Sequence, residues 1–414
     1  MIPAHWNMWK VKHLFAERIE KGFPEEQLLV ASQNHGVIPK REYETRTVEA
    51  TKDLHLLKLV KQGDFVISLR SFQGGIEYAH CQGIISPAYT IMIPQEEISP
   101  AYFRLLAKSF PFIEMLKQCV TGIREGQNID YNKLKNRHIP LPPREEQDAI
   151  VRFLDAKCAK IDRLIKLKER QIELLNEKKQ NIINQAVTKG LDPHAPMKDS
   201  GVDWIGEIPE GWEVRKLKYM GMIQTGVTLG KDYPKEETVE YPYLCVANVQ
   251  DGYIDLEKVK SISLPPKEAG RYFLQKGDIL MTEGGDPDKL GRGSVWNNEI
   301  EPCLHQNHIF AVRINQKKTF IEFFKFVLQS RYCKEYFLLS AKQTTNLAST
   351  NKTTLSNLCV AMPSLPEQEE IVAHLDKIVS INQRQQAVVQ KEISTLQEYK
   401  ARIISDVVTG KIQI

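Results

Sequence analysis

A chain of 414 residues, 42% hydrophobic and 26% charged, is too long for one ordinary core and has the balance of a folded multidomain protein. Its formal charge of +4 permits a nucleic-acid partner without demanding one. No run approaches the ~18 apolar residues of a membrane span, and the opening MIPAHWNMWKVKHLF lacks the apolar stretch of a secretory signal. Cysteines 81, 119, 158, 245, 303, 333 and 359 are odd in number and form no C-x-x-C pair, which points to reduced thiols in the cytoplasm.

In chain order, residues 1–141 read as a globule, 142–191 as a long helix, and the Pro/Asp/Gly-rich stretch 192–207 as a linker. A second globule at 208–362 and a second long helix at 363–414 follow. The two halves echo each other. LPPREEQDAIVRFLD (141–155) recurs as MPSLPEQEEIVAHLD (362–376), and IELLNEKKQNIINQAVT (172–188) as ISTLQEYKARIISDVVT (393–409). Both hold a constant offset of 221, and 16 of the 47 positions from 142 to 188 are identical. IPAHWNMWKVK (2–12) faces IPEGWEVRKLK (208–218) at an offset of 206, matching Trp6 with Trp212, Lys10 with Lys216 and Lys12 with Lys218. The second globule is thus 15 residues longer. Between these anchors the echo is faint: GDFVIS (63–68) faces GDILMT (277–282). Matched helices with diverged globules imply one scaffold carrying two different heads.

The first helix has no Pro or Gly from Glu146 to Thr188, and its seam steps by 3 and 4: Leu154, Cys158, Ile161, Ile165, Lys168, Ile172, Leu175, Lys179, Ile182, Ala186. The second keeps the phase with Leu375, Val379, Asn382, Gln386, Val389, Ile393, Leu396, Lys400, Ile403, Val407. Such a period marks a coiled-coil seam, and prolines before the starts with Gly190 and Gly410 near the ends punctuate it. At ~1.5 Å per residue each rod is roughly 65 Å long. One rod carries the chain away from the first globule and the other returns, which predicts an antiparallel pair with pseudo-twofold symmetry. Lys168, Asn382 and Gln386 are polar seam positions suited to fixing register. Lys179 and Lys400, at one repeat position, can either do the same or snorkel. Residues 157–179 hold eight Lys/Arg against four Asp/Glu, ordinarily a solvated face.

The paired W-x-x-x-K-x-K openings, the duplicated P-x-x-x-E-Q-x-x-I-V-x-x-L-D helix starts and the run YPYLCVANVQDGYIDL (241–256) resemble the specificity subunit of type I restriction–modification enzymes over nearly the whole chain. That resemblance implies an α/β fold: two α/β target-recognition domains separated by an antiparallel coiled coil of two long helices. It further implies a DNA-binding subunit that reads a bipartite, asymmetric site with a fixed spacer. Two methyltransferase subunits and restriction/translocase subunits are the implied partners. S-adenosylmethionine and ATP would bind those partners, leaving this chain without cofactor or catalysis. Two heads reading major grooves from one side of B-DNA must stand about one helical turn, roughly 34 Å, or a multiple of it apart.

Base readout calls for Arg or Lys toward guanine and Asn or Gln toward adenine, on loops held by the fold. In the first head the candidates are Gln33, Asn34, Lys40, Arg41 and Arg46 in the 32–46 loop, Arg70, Gln73 and Tyr78 around Gly74-Gly75, and Arg124, Gln127 and Asn128 in 121–137. In the second they are Lys289 and Arg292 in 282–294, Gln343, Asn346, Asn351 and Lys352 in 342–355, and Asn248 and Gln250 after a strand-like run. Phosphate contacts only position a protein, so many of the basic residues would carry no sequence information.

The only Pro-Pro pairs lie in LPPRE and LPPKE, so no Asn/Asp-Pro-Pro-aromatic methyltransferase loop is present, and there is no P-loop. Cys303, His305 and His308 form C-x-H-x-x-H, but the strand-like setting lacks a clear fourth ligand, so core or DNA-facing histidines are expected instead of zinc. A non-catalytic coiled-coil adaptor binding proteins is the alternative; the Asn/Gln/Arg-bearing loops fit it less well.

Overall fold

The computed structural model describes residues 2–33, 35–43, 53–69, 71–122, 128–230, 233–234, 237–285, 290–316, 319–343 and 348–414, with the side chains of 342 and 343 left aside. The chain forms two compact units. The first joins residues 1–169 to 390–414; the second is the continuous stretch 170–389. Among the described residues no helix is long and apolar enough to cross a membrane.

The head of the first unit is built on a four-stranded antiparallel sheet in the order Phe15–Arg18, Thr90–Pro94, Phe65–Ile67, Glu77–Tyr78. Helices α1 (Pro100–Leu106) and α2 (Phe110–Lys117) complete it. Phe103 packs its ring against Phe15 at 4.4 Å and Phe65 at 4.7 Å, centring the core beneath the sheet. The opening strand Asn7–Lys10 pairs antiparallel with His138–Leu141, the strand that delivers the chain into the long helix α3 (Arg144–Lys189).

The second unit repeats this plan. Its main sheet runs Gly221–Thr225, Ile309–Ile314, Ile279–Thr282, Gly293–Val295. Helices α4 (Ile321–Gln329) and α5 (Arg331–Ser340) pack on it, and Glu213–Lys216 pairs with Cys359–Met362 ahead of the long helix α6 (Leu365–Val408). An additional three-stranded sheet of Lys260–Leu264, Val239–Leu244 and Leu304–His305 contributes to the greater length of this head.

Each long helix serves both units by its two ends. In the first unit Ile150 and Leu154 of α3 share a core with Ile403, Val407 and Val408 of α6, and the Tyr102 hydroxyl donates to the Val408 carbonyl at 2.9 Å. Lys400 bonds both oxygens of Asp162 at 2.6 and 2.7 Å, and Lys168 meets Glu392 at 2.7 Å. In the second unit Ile183, Ala186 and Val187 of α3 share a core with Ile371, Val372 and Leu375 of α6. There the Asn382 amide donates to the Leu175 carbonyl at 2.8 Å, and Gln386 donates to Asn176 at 2.7 Å. The helices are antiparallel within each unit. Leu154, Ile161, Ile165, Ile172, Leu175 and Ile182 of the first helix are buried or half-buried, as are Leu375, Val379, Val389, Ile393, Leu396 and Ile403 of the second, while Leu164, Leu167 and Leu174, off the seam, are exposed.

The duplicated Glu-Gln at the helix starts explains itself here. Gln147, 1% exposed, accepts from the Ser99 amide at 2.7 Å and donates to the carbonyls of Glu97 and Pro142, each at 3.0 Å. Gln368, fully buried, accepts from the Phe320 amide at 2.8 Å and donates to Pro363 at 2.9 Å. The preceding glutamates accept from the indoles, Trp6 to Glu146 and Trp212 to Glu367, both at 2.9 Å. Gly410 and Gly190 end the partner helices at φ of 72° and 73°, and each lies against one of these indoles. Replacing Gln147 by Ala takes this partner from the buried Ser99 amide and Pro142 carbonyl, and from the Glu97 carbonyl nearer the surface. The first unit should lose about 2–3 kcal/mol in a urea melt, and Gln368→Ala should do the same to the second.

Candidate nucleic-acid interface

In the first head the hairpin Leu29–Ser32/Gly36–Pro39 presents Gln33 at its tip, exposed. A side chain at Gly74 would stand 2.8 Å from the Gln33 amide carbon, so the 33 turn packs directly on the Ser71–Gly74 turn of helix, where Gln73 is also exposed. That turn contacts the short strand Asn128–Ile129, which exposes Asn128. The structure thus packs the Gln33 turn on the turn bearing Gln73, and that turn on the strand bearing Asn128. Tyr78 is half-buried, its ring edge-on to Phe65 at 5.3 Å and His80 at 5.0 Å, and serves the sheet. Lys40 and Arg41 follow the hairpin in a short 3-10 turn, Lys40 half-buried and Arg41 exposed. Asn34, Arg46, Arg70, Arg124 and Gln127 lie outside the described residues.

In the second head Gly284–Gly285 pairs with Ala348–Ser349, which pairs with Lys342–Gln343, making a small ribbon at the glycine-rich loop. Asn351 caps the helix Lys352–Ser356 by accepting from the Thr354 amide at 2.9 Å, and both Asn351 and Lys352 are exposed. Arg292 donates to the Gln250 side chain at 3.1 Å, joining two candidate loops. Lys289 and Asn346, and the side chain of Gln343, are outside the description. Asn248 requires correction. It is 5% exposed, accepts from the Cys245 amide at 2.7 Å, and donates to the carbonyls of Asp255 and Lys258 at 2.8 and 3.0 Å. Both amide donors and one acceptor position hold the 245–258 loop, and burial keeps the group from a base.

Each head also holds an Arg–Asp pair, its aspartate buried, that sequence reasoning missed. Arg18 bonds Asp64 at 2.8 and 3.2 Å, and Arg313 bonds Asp278 at 2.7 Å twice. Both aspartates follow a positive-φ glycine, Gly63 at 95° and Gly277 at 90°, which is the duplicated Gly-Asp of the sequence. The arginines come from non-equivalent strands, the edge strand in one head and its neighbour in the other.

The C-x-H-x-x-H motif divides between core and surface. Cys303 and His305 are buried, with the Cys303 thiol pushed up to about 12 and the His305 imidazole pushed down to about 4, both by burial. His308 is exposed and bonds Glu283 at 2.6 Å beside the glycine ribbon, a surface pair no local pattern announces. Among the described residues no three His, Cys, Asp or Glu side chains gather as a metal site.

Two unlike heads thus stand on a duplicated helical frame, each with polar loops at its surface. A family profile described as type I restriction modification DNA specificity domain matches residues 209–391. The chain is similar to the type I restriction enzyme specificity subunits. It is 30% identical over 303 residues to the MjaVIII specificity subunit of Methanocaldococcus jannaschii, covering 71% of this chain and 66% of that one. It is 20% identical over 327 residues to the EcoKI specificity subunit of Escherichia coli K12, covering 77% and 68%. The matched region spans just under two thirds of the MjaVIII protein and 47% of a second relative, the putative MjaX specificity subunit. A solved structure described as the basis of complex assembly and conformational transition of the type I R-M system shares the fold, with a TM-score of 0.69 and 17% identity over the whole of both chains.

His305 sets a pH dependence. A histidine held neutral in the fold at about 4, against 6.5 for the free side chain, contributes stability that is whole above pH 6.5 and is lost as pH falls toward 4. The loss approaches about 3 kcal/mol. In urea melts the stability of the wild type should fall between pH 6.5 and 4 more steeply than that of His305→Phe, and equal slopes would exclude this group as the source.

Proposed function

We propose that the chain is the non-catalytic DNA-reading subunit of a type I restriction–modification complex, that it reads a bipartite, asymmetric duplex sequence, and that it docks methyltransferase subunits and, through them, restriction subunits. The observation that carries this reading is selective repetition. The Trp–Glu–Gln anchorage of each head to its helices is kept residue for residue, whereas the loops bearing Gln33, Gln73 and Asn128 in one head and Arg292, Asn351 and Lys352 in the other share nothing. A frame kept constant while its exposed polar loops diverge suits two different half-sites. The same duplication with alike loops would suit a palindrome.

Helices of 46 and 44 residues, with hydrogen-bonded and salt-bridged seams, are stiff enough to give the unread spacer a fixed length. S-adenosylmethionine and ATP are assigned to the partners.

The purified chain should methylate nothing. Added to its methyltransferase partner it should direct adenine methylation to one bipartite sequence, read by mapping modified bases. Replacing residues 1–141 by another head should alter one half of that sequence alone. Inserting seven residues into both helices should lengthen the spacer, and an unaltered spacer rejects the ruler. Binding to duplex DNA should weaken linearly in log–log against salt, about one power per phosphate neutralised; a protein-binding adaptor would show no such slope.

A further inference from the structure

Lys108 stands in the short junction between α1 and α2, a position the sequence does not single out. Its ammonium donates to the carbonyl of Gln33 at 3.3 Å, the carbonyl of Gly74 at 2.9 Å and the carboxylate of Glu77 at 2.7 Å. An ammonium has three donors, and all three are used. Two of the acceptors are backbone atoms of the turns that expose Gln33 and Gln73, and the third is a carboxylate 1% exposed. Burial raises the Glu77 carboxyl while Lys108 opposes the shift.

The close approach is built into the backbone. Gly75 has φ of 87°, and a side chain there would lie 2.2 Å from the Ala107 carbonyl oxygen, so only glycine lets the 74–75 turn rest on the helix junction. The second head joins its loops otherwise, through Arg292 to Gln250 and Lys334 to Asp251 at 2.7 Å.

We infer that Lys108 is a positioning residue for base recognition by the first head: touching no base, it fixes the distance between the Gln33 and Gln73 turns. The inference rests on the DNA-reading role proposed above. A base edge is read by paired donors and acceptors whose separation must match it, so loosening that distance erodes discrimination more than affinity for the backbone.

The test uses the full chain and duplexes carrying its mapped target with single base changes in one half or the other. Lys108→Met is compared with Lys108→Met/Glu77→Gln, which leaves no lone buried carboxylate and keeps a folded reporter. Discrimination in one half should fall about tenfold and hold in the other, with the salt slope unchanged and amide exchange faster at residues 33 and 72–77. Equal weakening of both halves, or looser turns with full discrimination, overturns the positioning role. A wild-type chain that prefers no sequence overturns the DNA-reading role itself, a failure visible before any variant is measured.

Discussion

A buried carboxamide at the start of each long helix holds the molecule's parts in order. Gln147 and Gln368 lie where a helix N-terminus meets a sheet-based head, a place with more backbone donors and acceptors than the helix can satisfy. Each amide bonds the head's chain and the residue leading into its own helix, so the direction in which the helix leaves the head is fixed by hydrogen bonds inside a dry core. The indole–glutamate bond beside it brings in the opening strand, and the glycine that ends the partner helix packs on that indole. Sheet, stem start and stem end meet at one point in each unit.

The frame was legible in the sequence because its information is local and periodic. Heptad spacing depends only on which face a residue occupies, and the assigned seam positions are buried or half-buried, including the polar Lys168, Asn382 and Gln386, each of which has a partner on the facing helix; near the heads Ile183, Val187, Ile371 and Val372, off that seam, are covered as well. The duplication exposed the Glu-Gln pair, though its purpose became plain only when the receiving backbone atoms were seen.

The reading surface was only partly legible. Residue type marks Asn248 as a base reader; its burial makes it a loop anchor, and burial depends on segments remote in sequence. Lys108 looks like any surface lysine until residues 31 and 75 positions away converge on it. The Gly-Asp echo at 63–64 and 277–278 marks equivalent turns, yet the arginines that satisfy the aspartates arise on different strands, so no constant offset could have found them. Pattern captures what repeats along the chain and misses contacts formed by the fold alone.

The sharing of cores by distant segments bears on how the chain acquires its shape during synthesis. The second unit is one uninterrupted stretch and can close as soon as residue 389 is clear of the ribosome. The first head's core is completed by Ile403, Val407 and Val408, so it stays partly open until residues 403–408 reach it. Until those residues join it, the first head's core leaves apolar surface uncovered, and that surface is where an assisting chaperone would be most useful.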